Sequence, residues 1–187
     1  QTVRQGFHGE MPGQTVKVTD AGPGVVTIEG REYPCRIEQT ESSGTNTTTV
    51  TRTYYSSTTA PYALRLQSTT TDTQTKAVVS ETDWQVSSLA VPSRVLRELK
   101  IAAHVKSIYR HGKGQTTTLA VTSTDVPGGI VCHNARELDG NGRLVRRSTL
   151  ELVAYGTEPE EGRAGFRRRA RSPHRNRAFP YRATLSP

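Results

Sequence analysis

The stretch HGKGQTTTLAVTSTDVPGGIVCHNARELDGNGRLVRRSTLELV, residues 111–153, decides the fold class, and it has an earlier echo in ESSGTNTTTVTRTYYSSTTAPYALRLQS, residues 41–68. In both, a Gly and a Thr triplet (Thr47–Thr49, Thr116–Thr118) lead into an alternating run and then a Pro, with Pro61 matched to Pro127. Leu64-Arg65-Leu66 and Ile130-Val131-Cys132 follow. Alternation at period two marks strands with one face turned inward. Thr is β-branched and suits a pleated, half-exposed surface. In the later stretch, Asp139-Gly140-Asn141-Gly142 joins two alternating runs. Asp-Gly and Asn-Gly supply the positive φ that a tight hairpin needs, so this is the strongest turn signal in the chain. The reading is therefore mainly β: an antiparallel, curved, one-sided, half-barrel-like sheet built from two duplicated β-meander units.

Working outward, strands are expected at Val25–Ile28, Tyr33–Thr40, Thr47–Ser56, Tyr62–Leu66 and Ala77–Val86, giving a first unit over 25–86. The matching second unit spans 94–155. Residues 25–157 form the β domain. Residues 1–24 carry five Gly and two Pro and read as a flexible lead-in in which only Thr15–Thr19 alternates. Arg94–Lys100 could be a short helix, with Val95, Leu96 and Leu99 on one face. The repeat argues for a hairpin strand instead, because the matching place in the first unit is Val25–Tyr33. Superposing the units would set Trp84 against Leu152.

A hydrophobic fraction of 33% is low for a thick closed core and suits sheets with one buried face. The net charge of +8 is a property of the end of the chain. Eight arginines and no acid lie between Gly162 and Pro187, and without them the basic and acidic residues balance. That segment, residues 158–187, has no apolar periodicity and is expected to be disordered. No run approaches the ~20 apolar residues of a membrane helix, so the chain is read as not transmembrane. It opens on Gln1, consistent with a processed or partial form from which an export signal has been lost.

The second unit resembles uncharacterised exported bacterial β-proteins whose units carry a Gly-rich turn, a Thr-rich strand, a VPGG turn and a terminal LELV-like strand. Here these are Gly112–Thr118, Asp125–Gly129 and Leu150–Val153, while Ala60-Pro61-Tyr62 departs from the pattern in the first unit. By architecture such chains are similar to periplasmic lipoprotein-carrier half-barrels, which hold acyl chains on a concave face. The resemblance implies a periplasmic or secreted location.

Catalytic motifs find little support. Cys132-His133 are neighbours in a strand and point to opposite faces. The five histidines form no HxH or HExxH spacing, so neither a metal nor a cofactor is expected. Gly112-Lys113-Gly114-Gln115-Thr116 lacks the GxxxxGK[ST] spacing of a phosphate loop and reads as a β-turn. A Cys35–Cys132 disulfide is an option in an oxidising compartment. Asn46-Thr47-Thr48 fits the N-glycosylation pattern, which matters only in a glycosylating host. The expectation is thus a non-enzymatic binding or carrier module for a lipid or other hydrophobic ligand, or for a cell-envelope protein. Its concave face would present Ile37, Tyr62, Leu64, Leu66, Trp84, Ile130, Leu150 and Leu152. The alternative is nucleic-acid or polyanion binding through Arg167, Arg168, Arg169, Arg171, Arg175 and Arg177.

Overall fold

A computed structural model describes residues 15–154. The lead-in before residue 15 and the arginine-rich segment, with its six proposed polyanion-binding arginines, lie outside the described residues. The chain forms one open antiparallel sheet of nine strands in simple order: β1 (Thr15–Ile28), β2 (Arg31–Ser43), β3 (Thr47–Tyr55), β4 (Ala63–Asp72), β5 (Val78–Val95), β6 (Glu98–His111), β7 (Gly114–Thr122), β8 (Ile130–Asp139) and β9 (Leu144–Glu151). The sheet curves enough for the end of β1 to reach β5, where the Gln85 amide Nε2 donates to the Thr27 carbonyl at 3.2 Å. Among the described residues there is no helix, and Arg94–Lys100 is a tight hairpin between β5 and β6.

Two elements run longer than the sequence suggests. β1 is continuous from Thr15 rather than a short strand in a linker, and absorbs its glycines in a bulge between Asp20 and Gly22. β5 continues through Pro92 to Val95. Proline removes a ladder donor and is tolerated where a strand has one neighbour only. Beyond Gln85, β5 has lost β4 and pairs with β6 alone. Pro34 lies beyond the last β2–β3 pair, at Arg36, and Pro23 lies on the edge strand β1.

Local geometry recurs at a spacing of 67 residues. Ile28 pairs toward Arg31 and Val95 toward Glu98, closing turns in which Glu29 and Leu96 take φ of 52° and 56°. A bulge at Tyr54/Tyr55 returns at Val121/Thr122. The Ser56 N–H donates to the Tyr62 carbonyl at 2.7 Å, and the Ser123 N–H to the Gly129 carbonyl at 2.8 Å. Asp72 and Asp139 each fold a hairpin turn back on a carboxylate oxygen, through the N–H groups of Gln74 and Thr75 and of Asn141 and Arg143. In this register the counterpart of Pro61 is Gly128 rather than Pro127 and that of Cys35 is Ala102. The turn after Asp139 is one residue shorter than that after Asp72, so beyond it the spacing is 66 and Trp84 falls against Leu150 rather than Leu152.

Two small cores follow the same spacing. The first gathers Val26, Ile28, Cys35, Leu64, Val86, Ala103 and Val105. The second holds Val95, Val126 and Val131, with Val121 and Leu152 against it. Ile28 and Val95, and Leu64 and Val131, occupy equivalent places. β5 runs from one core to the other, contributing Val86 to the first and Val95 to the second.

Candidate ligand cleft

The residues expected to form one concave face do not share a face. Directly opposed residues in an antiparallel sheet project to the same side. One unbroken row therefore runs Glu38, Thr53, Leu66, Trp84, Ser107, Thr118, Ala135, Ser148 across β2–β9. The adjacent row runs Ile37, Tyr54, Arg65, Gln85, Lys106, Leu119, Asn134, Thr149 and lies on the other side. Ile37 is thus across the sheet from Leu66, Trp84 and Leu150. Tyr62 is not a strand residue: it ends a turn at φ 73° and is 52% exposed. Leu64 is sealed at 0% exposure, and Leu152 packs on the second core. Ile130 and Leu150 stand in solvent. Leu66 and Trp84 are direct partners and half-buried.

A different concavity lies where the two halves meet. It is a half-open hollow of about 350 Å³ between the 56–62 turn and the 123–129 turn, one of several surface hollows of similar or larger volume. Two buried serines anchor the turns on either side of it, and Ser123 also lines it. Ser56 anchors the first turn through its N–H, as above, and its Oγ accepts from the Thr58 N–H. Ser123 anchors the second: its hydroxyl donates to the Ile101 carbonyl at 2.8 Å, tying the turn to β6, and accepts from the Asp125 N–H. Ala102 and Ala103, both buried, give the cleft its small side chains, and Leu89 and Pro61 add apolar surface. Thr58, Thr59 and Thr122 bring hydroxyls. Asp125 is the single charged residue among those lining it.

The sequence reading missed this site because it matched the two prolines. Matching serines instead sets Ser56-Ser57-Thr58-Thr59-Ala60-Pro61-Tyr62 against Ser123-Thr124-Asp125-Val126-Pro127-Gly128-Gly129, the register that the hydrogen bonds follow.

Titratable groups elsewhere explain themselves locally. The Gly22 N–H, and then Arg36, hold the Asp20 carboxyl below its usual range. The backbone N–H and hydroxyl of Thr75 do so for Asp72, and Lys100 does so for Glu98. Arg65 grips Asp83 with two contacts of 3.2 Å. Cys132 and His133 pair with Val121 and Ala120 respectively and so face opposite ways. Among the described residues no three His, Cys, Asp or Glu side chains gather where a metal could bind, and no helix is long and apolar enough to cross a membrane.

Both cysteines are free thiols, Cys35 buried and Cys132 part-exposed. Burial pushes the Cys35 thiol up, away from the reactive thiolate. Maleimide should therefore add once to the native protein, at Cys132, and twice after unfolding in guanidinium. Intact-mass measurement checks this; equal labelling of both thiols, or a disulfide in the purified protein, would contradict it.

No protein-family model, no curated protein and no solved structure matches this chain.

Proposed function

We propose that this chain is a non-catalytic binding module, made of two copies of one β-meander, that holds a small hydrophobic ligand in the cleft between its 56–62 and 123–129 turns. The observation that carries the reading is the cleft itself. Its volume of about 350 Å³ sits at the lower end of the ~300–1,000 Å³ usual for ligand pockets. Its alanine, leucine and proline surface suits an apolar body, and its threonine hydroxyls suit one polar end. Asp125 disfavours an anionic head, so the ligand is an uncharged or cationic amphiphile, such as a medium-chain alcohol or amine, rather than a fatty carboxylate. An exported or periplasmic setting accords with the resemblance to VPGG-turn proteins.

The test is displacement of Nile red by decanol, read by fluorescence. Decanol should bind and decanoate more weakly. Thr59→Trp should fill the cleft and weaken decanol binding ~10-fold or more while the far-UV spectrum stays unchanged. Equal binding by the Thr59→Trp variant would remove the cleft from consideration.

A further inference from the structure

Among the described residues, the last strand carries an open edge: β9 pairs with β8 on one side and with no described strand on the other. Its counterpart in the first half, the Ser80–Gln85 part of β5, is paired on both sides, with β4 and β6. The edge therefore lacks the neighbour that the same structure has 66–67 residues earlier.

Its chemistry fits one occupant. The Leu152 N–H donates to the Val131 carbonyl at 2.9 Å, so even-numbered residues there turn their backbone groups toward β8. Arg147, Thr149 and Glu151 then present N–H and C=O to the open side. A two-fold axis perpendicular to a sheet pairs residues so that each face meets itself. Centred on Thr149, it sets Thr149 opposite Thr149 of the second copy, Arg147 opposite Glu151 twice, and Val145 opposite Val153 twice. Each is a favourable cross-strand pair, and the hydrogen-bonding positions fall at the residues whose backbone faces outward. Val145 and Val153 are 62% and 87% exposed in the single chain.

A charge imbalance points the same way. Arg147 lies directly opposite Arg136 on β8, a like-charge pair, while Glu137 is taken by Arg146 at 3.1 Å. Glu151 of a second copy would supply the missing carboxylate beside Arg147.

We propose that two copies of this chain associate through antiparallel pairing of β9 with β9, centred on Thr149, to give one continuous eighteen-stranded sheet. The two-fold uses up the β9 edge of both copies, so no third copy can join through β9.

Sedimentation equilibrium on the full chain tests it, with circular dichroism confirming that each variant is folded. The native protein should sediment as a dimer. Glu151→Arg should weaken association about tenfold or more by turning both ion pairs into repulsions, and Arg147→Glu with Glu151→Arg together should restore it. Thr149→Pro, which an edge strand tolerates, should also weaken it by removing two central hydrogen bonds. A native protein that stays monomeric up to high micromolar concentration overturns the proposal. So does a dimer indifferent to Glu151→Arg, or one weakened by it and not rescued by the charge exchange.

Discussion

Leu64→Ala should destabilise the protein by ~2–5 kcal/mol, read as a lower urea midpoint with an unchanged slope. Leu64 is at 0% exposure and follows the Tyr54/Tyr55 bulge, where the extra residue of β4 turns the side chain into the first core. Removing three carbons from a sealed site loses their transfer free energy, and the neighbours Ile28, Val86 and Val105 are held by ladder pairing and cannot collapse fully into the gap. Such a loss is a large share of the ~5–15 kcal/mol that holds an ordinary domain together. The sequence reading placed Leu64 on a ligand-facing surface. On such a surface the truncation would cost well under ~1 kcal/mol, because exposed side chains away from special features contribute little. A small loss would return Leu64 to that role.

Gly114→Ala should cost ~2–5 kcal/mol, combining a strained backbone with overpacking. Gly114 opens β7 at φ 150°, and a Cβ there would lie 2.0 Å from the Leu138 carbonyl oxygen and 2.9 Å from the Asp139 Cα. Both are backbone atoms of β8, so no side-chain rotation relieves the clash, and the β7–β8 ladder must open at that end. Gly112, two residues earlier, has nothing within 4 Å of its missing Cβ. Gly112→Ala is therefore the control and should change stability by less than ~0.5 kcal/mol. Thermal unfolding of both variants checks the contrast; equal effects would mean that the close approach at Gly114 is not present in solution.

The all-β class was legible because alternation is a local signal, and the Asp139–Gly142 turn because its φ requirements are written in the residues that fill it. Tyr62 was misplaced for the converse reason: a bulky residue at positive φ leaves no signature, whereas Gly129 in the equivalent place does. The face of Ile37 was not legible either. Alternation tells which residues of one strand share a side, but the match between strands depends on register. The bulges at Asp20/Gly22, Tyr54/Tyr55 and Val86/Ser88 reset that register without an obvious sequence mark. The continuity of β5 was hidden by Pro92, which reads as a breaker until its single-sided pairing is seen. The cleft was missed through a one-residue misalignment, since proline is the more conspicuous residue and serine the one that makes the hydrogen bonds.

The most direct test of the cleft as the binding site is an amide chemical-shift titration of the 15N-labelled protein with decanol. Shifts should concentrate at Tyr33, Thr58, Thr59, Leu89, Ala102 and Ser123, from both halves of the chain at once, and saturate together. No shifts, or shifts confined to Leu66, Trp84 and Leu150 on the open sheet face, would contradict it.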